Sequence, residues 1–106
     1  MTAAMSALIY CPFPDDASAA DVAERLLAEK LIACANIGGA VRSLFVWNGE
    51  RGEAAEVGVL FKTREALLDR AVARIAQLHP YEAPAVLGWR CDAAAEATAN
   101  WLSALE

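Results

Sequence analysis

The chain is poor in the residues that build metal centres and covalent staples. Among 106 residues there is one histidine, and the three cysteines, Cys11, Cys34 and Cys91, are odd in number with no Cys-x-x-Cys spacing. Neither a zinc site nor a disulfide framework is expected from that inventory, and a reducing, cytoplasmic compartment fits it best. Basic residues are also short: nine Lys and Arg against fourteen Asp and Glu leave a formal charge of −5. Binding to a phosphate backbone needs the opposite balance, so nucleic acid is excluded as a partner. No stretch approaches the ~18 consecutive apolar residues of a membrane span, so no membrane partner is expected. The start, Met1-Thr2-Ala3-Ala4, has no basic leader region, and Leu8-Ile9-Tyr10 therefore reads as a strand and not a signal peptide.

Apolar material, in contrast, is plentiful. It makes up 58% of the chain, more than one domain of this size needs for its own core, which hints at a subunit interface. The length suits one domain, residues 1–106. An apolar run from Ala7 to Cys11 forms a first strand, which Pro12 and Pro14 are expected to stop. Asp15, Asp16 and Ser18 offer N-caps to a helix over Ala17 to Lys30, where Ala19, Val22, Ala23, Leu26 and Leu27 share a face. Cys34 to Ile37 begins a second strand, bent at Gly38-Gly39 and continued by Val41 to Trp47. Asn48-Gly49, with Gly52 after it, predicts a hairpin loop of several residues. The returning strand, Ala55 to Lys62, puts Val57, Val59 and Phe61 on one face. Thr63 is expected to cap a second helix carrying Leu67, Leu68, Ala71, Val72, Ile75 and Leu78, which His79-Pro80 ends. A fourth strand follows over Ala85 to Arg90. Asp92 is expected to cap a last helix with Ala94, Ala97, Trp101 and Leu105 on one face.

That order is βαββαβ with an extra C-terminal helix: an α+β, ferredoxin-like sandwich. The two crossover helices would cover one face of a four-stranded sheet. On the second strand Leu44 and Val46 oppose Phe45 and Trp47, so both faces read as buried. Other subunits are the simplest cover, which predicts a trimer.

The fold hosts unrelated functions, so the site must decide among them. A copper chaperone of this topology needs two cysteines in the first loop, and only Cys11 lies there. An RNA-recognition domain needs aromatic and basic residues interleaved on its central strands, which Glu56 to Lys62 does not provide. An acylphosphatase needs an arginine in that first loop, where this chain has Asp15 and Asp16.

Several segments remain that packing does not explain: Cys11-Pro12-Phe13-Pro14-Asp15, Leu31-Ile32-Ala33-Cys34-Ala35-Asn36, Trp47-Asn48-Gly49, Phe61-Lys62-Thr63 and His79-Pro80-Tyr81-Glu82-Ala83-Pro84. In order and spacing they resemble the CutA divalent-cation-tolerance family, and the resemblance runs from about Ala7 to Leu105. It implies a homotrimer of ferredoxin-like subunits, a role in tolerance or response to metal ions, copper binding and no enzymatic reaction; no catalytic residue is assigned. The metal ligands it implies are Cys11 and His79. Two positions depart from the family pattern, Leu78 where a second histidine can stand and Ala85 where a glutamate is usual. Copper binding is accordingly expected to be weak, with no cofactor required. A cleft between subunits, near Trp47, Lys62, Tyr81 and Glu82, is the candidate ligand site. By analogy with the PII signalling proteins, the alternative function is a trimeric small-molecule sensor.

Overall fold

Residues 5–105 are described in a computed structural model of the protein. The reading of residues 1–4 as leaderless lies outside them. Strand β1 (Ser6–Phe13) alternates Ala7, Ile9, Cys11 and Phe13, all fully buried, with more exposed residues. It runs through Pro12, contrary to the expectation that this proline stops it. The reason lies in its neighbours. Strand β4 (Leu87–Arg90) pairs with residues 7–10 only, so Pro12 has a strand on one side alone, a setting that tolerates a missing N–H.

Helix α1 (Asp16–Ala28) is capped by Asp15, whose carboxylate accepts the Ser18 N–H at 2.8 Å. It buries Ala19, Val22, Ala23 and Leu26 and ends before Lys30, which turns the chain with φ 59°. Strand β2 (Cys34–Trp47) and strand β3 (Glu50–Arg64) form a long antiparallel hairpin, with a register shift at Ile37/Ala40 where the glycine pair bends it. The loop expected here is instead a two-residue turn. Asn48 and Gly49 both take positive φ, 51° and 80°, matching the twist of the flanking strands. Gly52 lies inside β3, opposite Phe45, and the Phe45 ring occupies the space a Cβ there would need.

Helix α2 (Glu65–Leu78) buries Leu67, Leu68, Ala71 and Ile75. Thr63 does not cap it. It is a fully buried β3 residue whose Oγ1 donates to the Leu31 carbonyl at 2.8 Å, and Arg64 takes the cap position without a side-chain bond. The last strand starts at Leu87, two residues later than expected. Helix α3 (Glu96–Ser103) begins past Asp92, with Ala95 at its N-cap. It has only eight residues and buries Leu102, while Trp101 stays exposed.

The sheet order is β2-β3-β1-β4 with every neighbouring pair antiparallel. β1 and β2 run parallel with β3 between them, so the ferredoxin-like arrangement expected from the sequence is the one observed. The core lies between one sheet face and the two crossover helices, joining Ile9, Phe13 and Phe61 to Leu26, Ile32 and Ile75. On the other face Tyr10, Leu87 and Trp89 are exposed, and α3 does not cover them. The hairpin also outruns the rest of the sheet. β1 reaches β3 only from Val57 onward, so Val41–Trp47 and Glu50–Glu56 form a two-stranded arm. A 14-residue strand is about 46 Å long at ~3.3 Å per residue, close to the molecule's 49 Å long axis. Both faces of the arm read as buried in the sequence. Within one chain they are open, and Val46 is 67% exposed.

Candidate functional site

The site begins where α2 ends. Proline cannot continue the helix and disfavours helical backbone before it, so His79 is extended (φ −65°, ψ 141°) and its own N–H closes the last turn on the Ile75 carbonyl. That step turns the imidazole inward, where it is 6% exposed. Its ring stacks on Phe13, with centroids 4.4 Å apart and planes at 26°. Both ring nitrogens have partners. Nε2 lies 2.8 Å from the Pro12 carbonyl oxygen, and Nδ1 accepts the Tyr81 N–H at 3.0 Å. A backbone N–H only donates and a carbonyl only accepts, so the ring is a neutral imidazole with its proton on Nε2. The Pro12 carbonyl is available because β4 stops pairing at Tyr10.

Cys11 shares that acceptor, its Sγ 3.5 Å from the same oxygen. Burial, with the charge of Glu56 adding to it, pushes its thiol up to about 12. Tyr81 continues the chain of contacts. Its ring lies 4.8 Å from that of His79, and its hydroxyl donates to Glu56 Oε2 at 2.8 Å. Burial and then this bond to a carboxylate push the hydroxyl up to about 12, so it stays a donor throughout the physiological range. Glu56 is only 8% exposed.

Outside this network a cleft of about 1060 Å³ opens between the hairpin arm and the 79–86 segment, with Phe45, Trp47, Glu56, Tyr81, Glu82 and Pro84 among its walls. The structure brings Trp47, Tyr81 and Glu82 together around this cleft within one chain, where the sequence reading places them in a cleft between subunits. Lys62 is placed elsewhere. It lies on the open sheet face opposite Leu8 and Cys34, six residues along β3 from Glu56, or about 20 Å. Cys11 and His79 meet at the Pro12 carbonyl. Among the described residues no group of three or more His, Cys, Asp or Glu converges as a metal-binding set. Sequence reasoning missed Glu56, which it did not single out as a site residue. A carboxylate set in the largely apolar run Ala54–Phe61 was the available signal.

Residues 7–104 match the family model described as the CutA1 divalent ion tolerance protein. A divalent-cation tolerance protein CutA of Pyrococcus horikoshii is 42% identical over 95 residues, spanning 90% of this chain and 92% of the relative. The crystal structure of the divalent ion tolerance protein CutA1 from Ehrlichia chaffeensis superposes with a TM-score of 0.89 at 31% identity, over 98% of this chain and 100% of that one. A structure from Archaeoglobus fulgidus, described as a periplasmic divalent cation tolerance protein CutA, gives 0.86 at 28% identity over 92% and 95%. No helix among the described residues is long and apolar enough to cross a membrane. Motif order, sheet topology and matched length agree, and the chain belongs to the CutA1 divalent ion tolerance family.

Proposed function

We propose that the chain works as a homotrimer in divalent-cation tolerance, meeting copper weakly through Cys11 and His79 and catalysing no reaction. The observation that carries this reading is the approach of a thiol and an imidazole to one carbonyl oxygen, in a chain whose relatives carry the tolerance name. The same geometry argues for weak affinity. A metal must take a lone pair from an imidazole whose nitrogens are both engaged, and displace a proton from a thiol held neutral by burial. Two such ligands fall short of four-coordination, so further donors would come from an adjacent subunit or from water. Copper is the only cofactor this reading implies, and folding requires none. A cytoplasmic location suits three free cysteines. Calorimetry with Cu(II) at pH 7 should give micromolar-class binding that drops in His79→Ala. Zinc should bind no more tightly. Nanomolar copper binding that survives His79→Ala would overturn the site.

A second reading, a PII-like small-molecule sensor, draws its support from the cleft beside this network. In the trimer this cleft would lie at a subunit boundary. A thermal-shift panel of small molecules separates the two readings: a ligand that raises Tm in wild type but not in Trp47→Ala favours the sensor.

A further inference from the structure

Three groups of features in the cleft belong to different elements yet have one chemistry. The arm contributes the rings of Phe45 and Trp47, and Phe45 is seated over Gly52, where no side chain competes for the space. The 79–86 segment contributes the Tyr81 ring and the Glu82 carboxylate. β3 contributes Glu56, which is more than nine-tenths buried. No Lys or Arg lines the cleft.

Glu56 is the unusual member. A buried carboxylate ordinarily has a cation beside it, because removing a charge from water is costly unless it is paired. Among the described residues the ion pairs join Arg25 and Arg74 to Glu29, Arg42 to Glu53 and Arg90 to Glu65. Neither Glu56 nor Glu82 is in any of them. The hydrogen bond Glu56 receives comes from the neutral Tyr81 hydroxyl, at Oε2. A bare divalent cation would be a poor match for this cleft, since among the described residues no three carboxylate, imidazole or thiol ligands converge, and rings make up much of its wall. An anion would face carboxylates with no cation to receive it. What fits is a positive charge carried on an organic body, the charge at the carboxylates and the body against the ring faces.

We propose that this cleft is a binding site for a small organic cation, an ammonium or guanidinium group on an aromatic or aliphatic stem. The ligand's charge sits at Glu56 and Glu82 and its stem on Trp47, Phe45 and Tyr81. The inference rests on the cleft being a ligand site and names the class of ligand that site takes. Tyr81 acts as a positioning residue: by donating to Oε2 it fixes the carboxylate and leaves Oε1 for the ligand.

The test uses the full chain and three probes of similar size and different charge: phenethylammonium, 2-phenylethanol and 3-phenylpropionate. Each is titrated while the three tryptophan indole N–H signals are followed by NMR, with Trp47 identified from its loss in Trp47→Phe. The cation should move the Trp47 signal saturably, and bind roughly ten-fold or more tightly than the alcohol. The anion should not saturate. Glu56→Gln should weaken the cation about ten-fold while leaving the alcohol unchanged. Because Glu56 is buried, Glu82→Gln serves as an independent variant that cannot disturb the core, and it should weaken the cation by a smaller factor. Equal binding of cation and alcohol, or cation binding untouched by both glutamine variants, would sink the proposal while leaving the cleft a ligand site. If no probe moves the Trp47 signal, for instance because a second copy fills the cleft, both the proposal and the ligand-site reading fail.

Discussion

Single side chains around Glu56 set how the fold answers to alkali. Burial and then Glu56 raise the Cys11 thiol from 9.0 to about 12, and burial with the Glu56 bond raises the Tyr81 hydroxyl from 10.0 to about 12. Both groups hold their protons more tightly folded than unfolded. Their contribution to stability is therefore complete below about pH 9 and is lost as pH climbs towards 12. Urea midpoints should fall steadily from about pH 9 upward, and Cys11→Ala should flatten that fall by removing one of the two protons. An identical slope in wild type and variant would mean the thiol is not held neutral. The same residues show what sequence can and cannot disclose at this scale. The motif around His79 was legible as a motif. Its tautomer was not, because the partners that set it, Pro12 and Tyr81, are 67 and 2 residues away and meet only in the folded chain.

Elements were read well where periodicity and capping chemistry are local. Of the three residues expected to offer a cap to α1, Asp15, Asp16 and Ser18, it is Asp15 that caps it. Its bonds from Ser18 hold its carboxyl below the usual carboxylate range. A depressed folded pKa contributes stability above the unfolded value and loses it as pH falls. Asp15→Ala should accordingly lower Tm at pH 7, with the difference from wild type shrinking below pH 4, whereas Asp15→Asn, which caps as well, should cost little. A deficit in Asp15→Ala that persists undiminished at pH 2 would count against the cap's charge. Errors arose where tertiary contacts outweighed local preference. Thr63 looks like a helix cap, but β1 pairs with β3 through that position and the hydroxyl finds the Leu31 carbonyl instead. Asp92 is likewise a good cap in isolation, yet the helix starts four residues later.

At the scale of the molecule the unresolved demand is the hairpin arm. A two-stranded ribbon with Leu44, Phe45, Val46 and Trp47 open to water is marginal by itself and needs a partner surface. If three chains of 11.3 kDa assemble, light scattering should give about 34 kDa at micromolar concentration. Val46→Asp then tests the arm directly. In a monomer the substitution falls on an exposed residue and should change stability by less than about 0.5 kcal/mol. In a trimer that covers the arm it buries a charge and should release folded subunits of one-third the mass. A wild-type monomer, or a Val46→Asp trimer of undiminished stability, would refute the arm as the interface.

Sequence alone determined the element order, the ferredoxin-like topology, the core-facing residues of β3, most of those of α1 and α2, and the family, because each is written in short-range patterns: alternation, helical spacing, and proline and glycine placement. Tertiary structure alone decided that Lys62 lies far from Tyr81, that Glu56 is buried beneath it, and that both His79 nitrogens are engaged. The difference is physical. A pattern along the chain fixes which way a side chain points from its own element, but burial and pairing depend on where other elements end. Here the early stop of β4 frees the Pro12 carbonyl, and the overrun of β2 and β3 past β1 builds the wall of the cleft.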